Sequence, residues 1–315
     1  MRSYLIKRMM QAVAVVFIIT VVTFAIVNLA PGGPSILVSM ESTAEEREAL
    51  KAKLGLGQPL PVRYWKWMNA LLHGDLGRSF SDGRPVAEAI GQRLPNTLLL
   101  GGAALALSVA LALPAGVVSA TRRYSLCDYL VTLFSFLGLS VPAFWFAIVL
   151  ILLFSVRLHW LPSSGMATVG LGFSLFDRVA HLVMPAVVLS TVTMPQIVRF
   201  TRSSLLEVLG QDYVRTARAK GVPERGVVYR HALRNALIPV VTVIGLLLPA
   251  LVGGAVITET VFGWPGMGSL ALAAAVGRDY PMVMGVTLVV GTVVVLANLG
   301  VDLAYGLLDP RIRYE

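Results

Sequence analysis

Charge is scarce in this sequence. Asp, Glu, Lys and Arg make up 14% of its 315 residues, where a soluble domain carries about 25%. Apolar residues take 56% and the mean hydropathy is +0.76, which excludes an ordinary water-soluble domain and predicts a membrane-embedded chain. Cysteine is nearly absent as well. Cys127 stands alone, so no internal disulfide is possible and an inert structural thiol is expected. No G-x-x-x-x-G-K-[ST] loop occurs, so the chain lacks the backbone cradle and lysine that hold nucleotide phosphates. H-E-x-x-H is missing too, and His73, His159, His181 and His231 are scattered without metal-ligand spacing. Ser163-Ser164-Gly165 sits in a loop with no helix-borne serine and histidine pair to make a nucleophile. With no enzyme, cofactor or metal site to expect, the chain is read as one that moves or anchors something.

What it has is length in its apolar runs. A helix crosses the hydrocarbon with about 20 apolar residues, and runs of that kind cover 9–30, 97–120, 129–156, 181–201, 237–259 and 282–307. The expected fold is therefore an all-α membrane protein with six transmembrane helices. The first run follows Arg2, Lys7 and Arg8, but it exceeds the roughly 7–15 residues of a signal h-region and no A-x-A-like site closes it, so it is read as an uncleaved anchor.

Lys and Arg set the orientation, because cytoplasmic loops retain them. The N-terminal tail, the second connection (Arg122, Arg123), the fourth connection (Arg199 through Arg234) and the C-terminal tail (Arg311, Arg313) all fall on one side of a six-span chain. Both termini are expected to be cytoplasmic. The net charge of +9 follows from this topology, and nucleic acid is not expected as a partner.

The division expected is 1–30 for the tail and first helix, 31–96 for an extracytoplasmic segment, 97–307 for a five-helix core and 308–315 for a cytoplasmic tail. Within the second part, the prolines and glycines of 29–34 stop the first helix. Thr43-x-x-Glu46 reads as a capping box opening a short helix over 42–53. Tyr64, Trp65 and Trp67 are expected at the membrane interface. Pro114, Pro142, Pro185, Pro195 and Pro249 predict kinked spans, either around a pathway or in a plain bundle. Glu259 and Asp302 lie near span ends, where a buried functional acid and a hydrated one are both open readings.

The fourth connection holds RTARAKGVPERGVVYRHALRN (215–235), which is wet and cationic for so apolar a chain. Asp212 to Lys220 predicts a short helix with an acid at its start and cations at its end. Gly221 suits the left-handed residue after that helix, and Pro223 the first position of a second one carrying Glu224. Tyr213, Val214 and Ala217 give the first helix an apolar side. A solvated loop would need only the charges; the ordered punctuation favours a helix that docks in a groove, with Arg215, Arg218 and Lys220 at its rim.

Ala217, three residues, Gly221, nine residues, then His231-Ala-Leu233 resembles the coupling-loop motif of ABC-importer permeases, Glu-Ala-Ala, three residues, Gly, nine residues and an aliphatic residue. Further matches run along the chain: Gly74-Asp-Leu-Gly77, Arg93-Leu-Pro-Asn-Thr97, Val141-Pro-Ala-Phe-Trp145, Trp160-Leu-Pro162, Glu259-x-x-Phe-x-x-Pro-Gly-x-Gly268 and Asp309-Pro-Arg311. Together they are similar to the B-type inner-membrane permease subunit of dipeptide and oligopeptide ABC importers. The resemblance implies a type I permease fold in a bacterial inner membrane. Its implied partners are a second, homologous permease, two cytoplasmic ATPase subunits that bind ATP and Mg, an extracytoplasmic substrate-binding protein, and lipid. It implies an ATPase-coupling loop over 204–236 using Asp212, Tyr213, Arg215, Thr216, Ala217, Arg218, Ala219, Lys220, Gly221, His231, Arg234 and Asn235. Arg215 stands where the motif has glutamate, so no glutamate contact carries over. It also implies an outer mouth or gate at Glu259, Phe262, Trp264, Pro265 and Gly266. Relatives of this type also carry nickel chelates, glutathione, haem or oligosaccharides, and the sequence does not choose among them. A secondary transporter would call for paired mid-span charges.

Overall fold

A computed structural model describes residues 2–29, 33 and 57–308 of the chain. The capping-box helix expected over 42–53, most of the helix stop at 29–34, and Arg311 and Arg313 lie outside the described residues. Among the described residues every regular element is helical, apart from one antiparallel bridge between Arg78 and Pro85. In chain order the helices are α1 (Arg2–Leu29), α2 (Leu60–Leu72), α3 (Val86–Thr121), α4 (Leu126–Ser140), α5 (Ala143–Leu150), α6 (Leu175–Leu209), α7 (Asp212–Ala219), α8 (Leu233–Gly254), α9 (Val256–Val261), α10 (Met267–Val276) and α11 (Tyr280–Leu308). π-helical turns extend α5 over Ile151–Arg157 and lead into α8 over Val227–Ala232.

Five stretches are long and apolar enough to cross a membrane: Ile6–Leu29, Val86–Thr121, Leu175–Leu209, Glu224–Pro249 and Tyr280–Asp302. A sixth crossing exists only if Leu126–Ser140 and Ala143–Arg157 count as one span, and these are bent by 102°. The single third helix expected over 129–156 is thus two. Pro142 explains the break, since its ring disfavours helical geometry in the preceding residue; Val141 and Pro142 are both extended, with ψ of 124° and 130°. The other prolines do not break their helices. Pro185 and Pro195 lie within α6, and Pro239 and Pro249 within α8. Helix α3 also starts well before residue 97, at Val86.

The chain forms two compact units, one of residues 1–97 and 265–296, the other of 98–264 and 297–315. In the first, Phe24 and Val27 of α1 pack with Tyr64 and Trp67 of α2 and Met284 of α11. Tyr64 meets Phe24 edge-on with centroids 5.3 Å apart, and its hydroxyl is 2.9 Å from that of Thr20. Of the three rings expected at the membrane interface, Tyr64 and Trp67 also pack against α1, and Trp65 is 71% exposed. A second cluster joins Val86 and Ile90 of α3, Met267 and Ala274 of α10, and Met282 and Val286 of α11. Buried Asp279 caps α11 through the Met282 amide and also accepts from the Ser79 hydroxyl and the amides of Phe80 and Ser81. It thereby fastens the 77–85 turn to the start of α11.

In the second unit α6 is central: 61% of its most apolar stretch is buried, against 17% for α1. Ala112 of α3, Ile197 and Val198 of α6, and Val240, Val243 and Leu247 of α8 form one cluster. Gly116 lets α3 and α6 approach closely, since a Cβ there would lie 2.6 Å from Thr201 Cβ. Ser108 and Thr193 share a buried 2.6 Å hydrogen bond across the same pair.

Candidate functional site

The cationic connection folds as a capped helix and turn. Helix α7 ends at Ala219 with Lys220 as its cap, and the Gly221 amide then donates to Arg218 O (2.9 Å) while the Val222 amide donates to Ala217 O (3.2 Å). These two bonds close a Schellman motif, which demands the left-handed conformation that Gly221 adopts at φ +77°. The expected Gly221 turn is present. Pro223 sits one residue earlier than expected, capping the next helix at ψ 145°, and Glu224 opens that helix. The second helix does not stand apart: Glu224–Gly226 passes through the π-helical turn directly into α8.

An ion pair braces the turn. Arg218 Nη2 and Nε donate to Glu224 Oε1 and Oε2 at 2.8 and 3.1 Å, and this bonding raises the guanidinium above its ordinary pKa. Both side chains are substantially exposed, at 40% and 62%, so water screens the pair. Arg215 pairs with Asp212 one turn back, Thr216 bonds Asp212 O at 2.9 Å, and Asn235 donates to the Tyr213 hydroxyl at 2.8 Å.

The apolar side of α7 is not free. Val214 and Ala217, 0% and 8% exposed, are buried with Val117 and Ala120 of α3, Leu205 of α6, and Val227, Val228, Ala232 and Ala236 at the start of α8. The face left to solvent carries Asp212, Tyr213, Arg215, Thr216, Arg218, Ala219 and Lys220. Of the stripe expected to seat in another protein's groove, Val214 and Ala217 are instead spent within the chain, because three helix ends converge beneath them, and Tyr213 stays 42% exposed. His231 is half-buried in the π-helical turn, while Arg234 and Asn235 are exposed on α8.

The second candidate region repeats the same turn in the apolar interior. After α9, the Gly263 amide donates to Thr260 O (3.2 Å) and the Trp264 amide to Glu259 O (2.8 Å), with Gly263 at φ +55°. Glu259 is fully buried, and Phe262 and Trp264 are each 1% exposed. Phe262 packs with Ala147 of α5 and with Met184 and Val188 of α6; Trp264 packs with Leu100 and Ala104 of α3, Leu189 of α6 and Leu251 of α8. The Gly165 amide donates to Phe262 O at 2.8 Å, tying the 158–172 connection to this turn. In the other unit, Pro265 O accepts from Asn96 (2.7 Å), buried Gly266 caps α10 through Ser269 (3.2 Å), and the Met267 amide donates to Thr97 (2.7 Å).

One charged cluster was not singled out from the sequence. Asp128 at the start of α4, 3% exposed, accepts from Arg202 Nε and Nη2 (2.8 and 2.9 Å), from the Ser119 hydroxyl and from the Tyr124 amide. It joins the end of α3, the start of α4 and the last turns of α6. The readable signal was Ser125-x-x-Asp128, a cap in which Ser125 Oγ accepts from the Asp128 amide.

Comparison with known proteins decides the family. The model of the binding-protein-dependent transport system inner membrane component matches residues 112–314, and the model of that component's N-terminal region matches 1–101. The chain belongs to this family of inner-membrane transport components. The oligopeptide transport system permease protein AppB of Bacillus subtilis is 44% identical over 100% of both chains. A putative peptide permease of Brucella suis is 45% identical over 99% of both, and the dipeptide transport system permease protein DppB of Escherichia coli 41% over 100% of both. Among solved structures, a chain from inward-facing crystals of the MetNI methionine ABC transporter aligns with 71% of this permease and 97% of its own length, at 19% identity and a TM-score of 0.59. That likeness bears on the fold alone.

Proposed function

We propose that this permease is one of two paired membrane subunits of an ATP-driven importer of di- and oligopeptides, with both termini in the cytoplasm. Similarity to oligopeptide and dipeptide permeases, at 44% and 41% identity over 100% of both chains, is the observation that carries this reading. The distribution of Lys and Arg supports the orientation. Separate ATPase subunits hydrolyse ATP; a substrate-binding protein delivers peptide to the opposite face.

In this mechanism α7 is the coupling element. Its polar face, from Tyr213 through Lys220, seats on an ATPase subunit, and its buried Val214 and Ala217 pass displacement into the ends of α3, α6 and α8. Packed side chains of that kind shift together rather than deform, so closing the ATPase pair biases a two-state bundle between inward- and outward-facing forms. The Phe262–Gly266 segment acts at the outer mouth as a packed hinge: its aromatic rings are buried, so it moves the walls of the path instead of lining it.

Affinity purification of the tagged chain in mild detergent tests the reading. A second six-span permease and Walker-motif ATPases are expected to copurify, and cells lacking this chain are expected to lose uptake of labelled peptide. Recovery of the chain alone, with peptide uptake intact in its absence, would overturn it.

A further inference from the structure

Helices α4 and α6 leave a groove between two fastenings. At one end Asp128 and Arg202 bridge them. Toward the other, Gly138 lets α4 approach α6 so closely that a Cβ there would lie 3.2 Å from Thr191 O. The gap between is a cavity of about 400 Å³, and its walls change character along its length. Arg202 and Arg199 stand at the end near the bridge, Ser135 lies midway, and Phe136, Leu139 and Pro195 line the rest.

The charge at the first end is uncompensated. Asp128 already engages Nε and Nη2 of Arg202. Arg199 lies over the Phe200 ring at 5.5 Å and has no acidic partner among the described residues. Among the described residues no carboxylate lines the cavity, so an anion entering it meets the positive charge of Arg199. The apolar end opens onto the part of α4 where Phe136 and Leu139 are 64% and 55% exposed, as suits contact with hydrocarbon. A small inorganic anion would leave that length unfilled, and a purely apolar chain would leave Arg199 unanswered.

We infer that this groove binds an anionic phospholipid, its headgroup phosphate on Arg199 and the free edge of Arg202 and an acyl chain along Phe136, Leu139 and Pro195. Guanidinium suits phosphate because its planar fork offers two parallel donors. Cations near the membrane surface favour anionic lipid in the same way, but here the groove selects one molecule at one place. The site braces α4 against α6 on the end of the bundle that leads into α7. The inference needs only that the chain lies in a membrane; it is independent of what is transported.

The test uses the full chain, with any subunits that copurify, in neutral detergent. Thermal unfolding and native mass spectrometry are followed as phosphatidylglycerol, phosphatidylcholine of the same chains, or inorganic phosphate is added. Phosphatidylglycerol is expected to raise the midpoint well above either control and to be retained at one molecule per chain. R199Q should bind it about fivefold more weakly, R199K should recover part of the loss, and R157Q, an exposed arginine outside the groove, should match the wild type. Gel filtration checks that each variant is folded. Equal retention by R199Q and wild type would overturn the proposal, as would an equal response to inorganic phosphate. Competitive displacement of the lipid by a free peptide, or burial of the groove by self-association, would assign it to another occupant and overturn it too.

Discussion

Gly221 and Gly263 close two helices by the same pair of hydrogen bonds, yet one turn stands in water and the other among packed aromatics. A Cβ at Gly221 would meet nothing within 4 Å; one at Gly263 would meet Ser164 Cβ at 3.6 Å, an ordinary contact. Local demand is thus nearly equal, a left-handed residue and little more. What differs is the residue that follows. Val222 is half-buried at the rim of the cluster under α7, whereas Trp264 is almost wholly enclosed. One motif therefore presents a helix outward and the other anchors a turn inward, and only the neighbouring residues decide which.

The largest expected effect comes from removing the inner anchor. Trp264→Ala should cost about 3–5 kcal/mol and sharply lower the yield of folded protein, measured by thermal unfolding in detergent. Next, Gly221→Val and Gly263→Val each force a β-branched residue into the left-handed region at about 1–2 kcal/mol. They should separate by readout: Gly221→Val melts slightly earlier but inserts at normal level and loses peptide uptake, while Gly263→Val also disturbs the enclosed Trp264 and loses folded yield and uptake together. Equal behaviour of the two would break the comparison. Val222→Ala removes part of a half-buried side chain and should cost under about 1 kcal/mol, visible as earlier melting. The smallest effect is at the exposed ion pair: Arg218→Gln should change stability by at most about 0.5 kcal/mol, and raising salt should erase the difference in the same melting assay.

The Gly221 turn was legible in the sequence, since a glycine after helix formers with proline two residues on has few other uses; Gly263 follows the mostly β-branched Val256–Val261, which gives no such signal. Five of the six membrane runs were legible by length, while Pro142 was one of five prolines expected to kink a span, and only the structure distinguishes it from Pro185 and Pro195, which α6 absorbs. Two further features were not legible. The apolar stripe of Val214 and Ala217 looks the same whether it meets another protein or its own chain, and it took the convergence of α3, α6 and α8 to show the latter. Asp128 and Arg202 lie 74 positions apart, and no local pattern joins them.

The central claim is that α7 meets its ATPase with its polar face, its apolar face being occupied. Single cysteines placed at Thr216 and at Val214 in a Cys127→Ser background, followed by cross-linking in membranes containing the whole transporter, test it most directly. The account predicts that the cysteine at 216 is captured by the ATPase subunit and the one at 214 is not. Capture from 214, with none from 216, would contradict it.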